Sequence, residues 1–244
     1  MNEFARLQSN SGAFCKVYFD FKSSYEELVE IHKIDFLILA TENGFSPLGL
    51  ARNVLSRELA VPESKIVELA DWNRFENNEI SIVGIKSINP ESRLKGCVLA
   101  ACENSKCYKE KFSRIHFDSF DRNSVRIPDR DFYYNITYES IFYAVKECNA
   151  KRIGISHLSA SGNYHQDIAM CTAEALAHFH DAHPGKIENF AFVGCCITEN
   201  HLRGTQRLNN ERNTRHIEIG KQISVDNNIQ IINLDIRRKE WENV

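Results

Sequence analysis

The run IDFLILAT, residues 34 to 41, is apolar at nearly every position. A strand with one wet face alternates apolar and polar residues. A short run without that alternation fits a strand covered on both faces, as in the middle of a parallel sheet. Parallel neighbours need crossovers, and helices usually supply them. This one run therefore points the chain toward α/β layers. NFAFVGCC, residues 189 to 196, is a second run of the same kind.

The segments around these runs supply the remaining layers. AFCKVYFDF, residues 13 to 21, alternates as a strand does, and SSYEELVEIH after it reads as a short helix capped by Ser23 or Ser24. LARNVLSREL puts Leu50, Val54, Leu55 and Leu59 near one helical stripe. SKIVELADW, EISIVGIKSI, KGCVLAAC and FSRIHFDSF each read as strands, and residues 121 to 136 as an irregular polar loop ending in aromatics. Tyr138, Ile141, Phe142 and Val145 then recur at helical spacing. RIGIS is a short strand, and Ile168, Cys171, Thr172, Ala175, Leu176 and Phe179 form another helical stripe. Residues 199 to 228 are polar, carry Arg203, Arg207, Arg212 and Arg215, and read as holding one surface helix. IQIINLDI, residues 229 to 236, reads as a final edge strand. The expected fold is a three-layer α/β/α arrangement with a mixed central sheet and extra strands. No repeat, low-complexity tract or Pro/Gly linker divides the chain, so residues 1–244 are expected to form a single domain.

Charge and composition remove several function classes. The formal net charge of -3 offers no basic excess for nucleic acid. No stretch approaches the roughly 18 apolar residues of a bilayer span. The first residues lack the apolar core of a signal peptide. A cytoplasmic location is expected, where the eight cysteines would stay reduced. Cys97, Cys102 and Cys107, with His116 downstream, are spaced too widely for a zinc knuckle, and no metal or other cofactor is expected. Neither a Walker loop, a G-x-G-x-x-G fingerprint nor a G-x-S-x-G elbow is present.

Chemistry concentrates in two loops. SHLSASGNYHQD, residues 156 to 167, lies between a strand and a helix. Loops after parallel strands gather at the carboxyl rim of the sheet, where ligands of open α/β folds bind. The helix that follows aims its positive end and free amides at the loop. Gly162 allows close backbone approach, and Ser159 and Ser161 add hydroxyl donors. Tyr164 can close over a ribose or base, and His165 can reach a phosphate. A plain polar turn would use the same residue types. The second loop, within ILATENGFSPLGLARNVL, also joins a strand to a helix. Two such loops on one rim would frame a cleft for a diphosphate. Cys195 and Cys196 sit at a strand end, and His178, His180 and His183 cluster at a helix end that suits a histidine. Phe132, Tyr133, Tyr134, Tyr138 and Phe142 are core by spacing, though part of the cluster could stack on an adenine.

These loops, in this order, resemble the macrodomains, a family that binds ADP-ribose. The resemblance covers residues 13 to 196, leaving 197–244 as a C-terminal extension. FDFK stands where the family has its adenine-contacting aspartate, which implies that role for Asp20. IDFLILATENG, from Asp35, is similar to the family's second strand, and PLGLARNVL to its glycine loop and helix start, which implies Gly44, Gly49 and Leu50 as ligand-binding. SASGNYHQ is similar to the phosphate loop, which implies Ser159, Ala160, Ser161, Gly162, Asn163, Tyr164 and His165. The family's paired asparagines are replaced: Leu39 stands for the first, and Glu42, or Asn43 with a one-residue slip, for the second. The family's hydrolytic members release ADP-ribose from protein side chains by positioning a water. That implies Glu42 or Asn43 as catalytic, with an ADP-ribosylated protein as partner. Two other readings stay open. One is a nucleoside or nucleotide hydrolase or phosphorylase. The other is a catalytically dead module that holds a protein partner.

Overall fold

The computed structural model describes residues 5–20, 29–41, 50–71, 80–101, 127–156, 158, 165–193, 218–226 and 228–235. Strands β1 (Ala5–Gln8) and β2 (Phe14–Asp20) are followed by β3 (Phe36–Thr41). Helix α1 (Leu50–Asn53) continues as a π turn over Val54–Glu58, and α2 covers Glu63–Asp71. Next come β4 (Ile80–Lys86), β5 (Gly96–Ala101) and the long helix α3 (Ile127–Cys148). Strand β6 (Arg152–Ser156), α4 (His165–Ala182) and β7 (Asn189–Val193) complete the run of crossovers. The hairpin of β8 (Glu218–Asp226) and β9 (Ile229–Asp235) follows.

One mixed sheet takes in every described strand, in the order β1-β2-β7-β6-β3-β5-β4-β9-β8. Strands β2, β7, β6, β3 and β5 are parallel, while β1 at one end and β4, β9 and β8 at the other pair antiparallel. The apolar run in β3 is central and covered on both faces, as its lack of alternation predicts. Phe36 and Ile38 enter a core with α3 and α4; Leu37 and Leu39 enter a second core with α1 and α2. The layering is therefore α/β/α. Ile38 is fully buried. Ile38→Val, which deletes one methylene there, is expected to cost about 1 kcal/mol, measured as a lower denaturant midpoint with an unchanged slope.

Local choices explain the helices. The π turn brings Val54, Leu55 and Leu59 into the same core, and its wide ring is closed by Leu59 N–H donating to Val54 O at 3.0 Å. Glycine at position 84 of β4 leaves room for the Tyr143 ring, which lies where a Cβ would stand.

Three expectations are corrected. SKIVELADW is not a strand: it lies almost wholly in α2, with Ile66 buried, Val67 exposed and Lys65 bonded to Glu68 one turn on. Pro62 directly before Glu63 is a helix-start signal that outweighs β-branched content here. Residues 127–136 are not loop but the first turns of α3, whose Pro128, Asp129 and Asp131 suit a helix start. Of residues 199–228, where one surface helix is expected, 218–226 form strand β8, and 199–217 lie outside the described residues. Finally, β9 is not the edge: β8 lies outside it. FSRIHFDSF and most of SSYEELVEIH lie outside the described residues.

Candidate functional site

The carboxyl ends of the parallel strands form one rim. Asp20 of β2 is level with Val193 of β7, which is level with Ser156 of β6. Beside β6, β3 ends at Thr41, paired with Ala101 at the end of β5. The two sequence-predicted loops thus leave from adjacent strands on the same rim, one from Thr41 and one from Ser156. One runs into α1 at Leu50 and the other into α4 at His165.

Between β6 and β3 the winding of the sheet reverses. After β6 the chain crosses through α4, on the α3/α4 face, to β7 on one side. After β3 it crosses through α1 and α2, on the other face, toward β4 and β5 on the opposite side. Such a switch point opens a crevice outside the strand ends. The eighteen-residue α4 starts at this rim and ends at the other, so its positive end lies at the switch point.

Side chains brace the rim. Ala40 N–H donates to Ser156 Oγ at 3.0 Å, tying β3 to β6. Thr41 Oγ1 donates to Ala100 O at 3.2 Å, tying β3 to β5. Leu158, just past β6, is buried in the α3/α4 core and anchors the start of the second loop. Neither Ser156 nor Thr41 stands out in the sequence reading. The available signal was a small hydroxyl residue ending each of two buried strands.

The predicted site residues divide as follows. Asp20 lies on the rim, at the end of β2, and His165 is the first residue of α4. Leu50 opens α1. Glu42, Asn43, Gly44, Gly49, Ser159, Ala160, Ser161, Gly162, Asn163 and Tyr164 lie outside the described residues, as do His157, Cys195 and Cys196. Asp35 sits at the opposite rim, at the amino end of β3. There its carboxylate accepts from the Arg152 amide at 2.9 Å and pairs with Lys95 at 3.2 Å.

Other candidate groups have structural surroundings. Tyr134 and His178 Nδ1 are bonded at 2.6 Å between α3 and α4, and Tyr133 and Tyr134 are buried core. His180 Nε2–H donates to Ala13 O at 3.0 Å, docking α4 on the β1–β2 turn. His183 packs on Phe179 and Phe142, and burial, aided by Lys186, holds its imidazole below the usual range. Burial pushes the Cys15 and Cys97 thiols well up and the Cys148 thiol to about 11, so none is a ready nucleophile. Cys102, Cys107 and His116 lie outside the described residues. Among the described residues, no group of three or more His, Cys, Asp or Glu is placed to hold a metal. No helix among them is long and apolar enough to cross a membrane.

Layers and sheet order define an open-sheet α/β protein with its switch point at the β6/β3 rim. No protein-family model matches the chain, and no curated protein does. Solved structures similar to it include the macro domain of ganglioside induced differentiation associated protein 2, with 13% identity, coverage of 79% of this chain and 83% of that one, and a TM-score of 0.48. A Trypanosoma brucei macrodomain in complex with ADP-ribose is 13% identical, with 80% and 68% covered and a TM-score of 0.44. The Oceanobacillus iheyensis macrodomain with MES bound is 9% identical, with 85% and 97% covered and a TM-score of 0.47.

Proposed function

We propose that this chain is a macrodomain-like protein that binds ADP-ribose, or a related nucleotide diphosphate, across the crevice between β6 and β3. The observation that carries this is the shared rim: two small polar loops leave adjacent parallel strands at the switch point, and each runs into a helix start. Such loops offer unpaired backbone amides, and the α4 dipole favours an anion beside them. In this reading Ser159, Ala160, Ser161, Gly162, Asn163, Tyr164 and His165 wrap the diphosphate from one side, and Gly44, Gly49 and Leu50 from the other. Asp20, along the same rim, takes the adenine. The whole chain is one domain, its core at residues 13 to 196, with β8 and β9 widening the sheet beyond β4.

The same site would release ADP-ribose from a modified protein. Water attacks the anomeric carbon, or an ester to the ribose, the bond to the protein side chain breaks, and a water proton leaves to a base. Glu42 or Asn43, in the loop after β3, holds that water. Glu42 could accept the proton if it comes within hydrogen-bond reach.

Calorimetric titration with ADP-ribose tests the binding. A saturable heat is expected. Thermal stabilisation should reach about 2.7 kcal/mol at a hundredfold excess over Kd. Inosine and AMP, which lack the diphosphate, should bind far more weakly; a preference for either would turn the assignment toward a nucleoside-processing enzyme. No heat and no stabilisation at millimolar ADP-ribose would overturn the proposal. With an ADP-ribosylated protein, Glu42→Ala and Asn43→Ala should retain binding, and whichever positions the water should lose about 100-fold or more in turnover. A parent protein that binds but never turns over is a binding module.

A further inference from the structure

We infer that Ser156 is a positioning residue for the proposed site: its hydroxyl latches β6 to β3 and thereby sets the separation of the two strand ends at the rim. This role rests on the ADP-ribose reading above. The paired register of the two strands runs from Phe36 with Ile153 to Ile38 with Ile155. Beyond that point the strand-to-strand tie is a side-chain bond, from Ala40 N–H to Ser156 Oγ at 3.0 Å. Ser156 is the last residue of β6, and Ala40 is the next-to-last residue of β3. The bond therefore sits at the last residue of β6 and one residue short of the end of β3. Thr41 holds the other side of β3 through Ala100 O, so both flanks of the strand end are fixed by hydroxyls.

A serine does something here that a carbonyl bond would not. Continued backbone pairing would carry the two chains forward side by side. A one-residue side chain lets the backbones separate while still satisfying a half-buried amide. The separation of the strand ends is then set before ligand arrives. A diphosphate clasped from both sides needs donors already at the right separation, and ordering them on binding would cost affinity. Alanine at 156 would remove the acceptor and leave the Ala40 amide unmet. Threonine keeps the hydroxyl and suits a strand end.

The test compares the parent protein with Ser156→Ala and Ser156→Thr by ADP-ribose calorimetry, at a temperature where all three are folded. Amide hydrogen exchange of the free proteins is read at Ala40. Alanine should weaken binding about tenfold, the scale of one unmet hydrogen bond, and speed exchange at Ala40 more than at Ile38. Threonine should restore affinity to within about threefold, a rescue that general loss of stability would not give. If the alanine variant does not fold, Ser156→Cys, whose thiol is a weak acceptor, carries the same comparison. A parent that binds beside an alanine or cysteine variant of equal affinity overturns the latch and leaves the binding reading standing. Unchanged exchange at Ala40 also overturns it. A parent that does not bind removes both.

Discussion

Gly96→Ala is expected to lower the unfolding free energy by about 3 kcal/mol or more. A Cβ at position 96 would collide with the Ile85 carbonyl oxygen, and would stand 3.2 Å from the Phe36 ring and 3.3 Å from Cys148 Sγ. The first of these obstacles is backbone. Ile85 belongs to β4, which pairs with β5 up to Lys86 opposite Gly96, so relief requires breaking that pairing. Phe36 and Cys97 are both fully buried beside it and leave little room to shift. Urea unfolding followed by circular dichroism reads the effect as a lower midpoint. An alanine variant as stable as the parent would mean that the two strands approach less closely than described.

Glu139→Gln is expected to change how stability depends on pH. Glu139 is buried on α3, and that burial raises its carboxyl to about 7, with Lys146 pulling the other way. The ordinary value is 4.5. The folded state therefore holds a proton that the unfolded state has released between about pH 4.5 and 7. Stability must fall as pH rises through that window, and the loss levels off above it. Glutamine carries no such penalty. The variant should match the parent near pH 4 and exceed it at pH 8 by up to about 3 kcal/mol, since each tenfold difference in proton affinity between the folded and unfolded states is worth about 1.36 kcal/mol. Denaturant midpoints across that range check it; a constant difference at every pH would show that Glu139 ionises freely in the folded protein.

Legibility of the fold tracked how strongly each segment depended on its own pattern. The β3 run, the α4 stripe and the alternating β2 were readable because burial on two faces, one stripe or one face leaves distinct periods. α2 was misread because Ile66 and Val67 suggest a strand, while the decisive sign was Pro62 with the acidic Glu63 after it. The first turns of α3 were missed because Pro128 and the charged residues around it look like loop until they are counted as a helix start. β8 was missed because Gly220, Lys221 and Gln222 break up its few apolar residues in the sequence.

The site divides in the same way. That the two loops share a rim followed from the order strand, loop, helix, because parallel strands must align their carboxyl ends. Which strands are adjacent does not follow from that order, and the Ala40–Ser156 bond depends on it. It joins residues 116 apart in the chain. No local window contains both.

The sheet order also governs when the molecule can form. Strand β2 has β7 as its parallel neighbour, and between them the chain makes β3, β4, β5 and β6. A ribosome must therefore release almost all of the parallel sheet before β2 can be zipped into it, which predicts slow, late folding. Strand β4 waits longer still, because among the described residues its outer flank pairs with β9. Until that hairpin emerges, β4 exposes a row of unpaired amides and carbonyls to other nascent chains. Cutting the protein after β7 would make that passing hazard permanent, so fragments ending there should precipitate where the full chain stays dispersed.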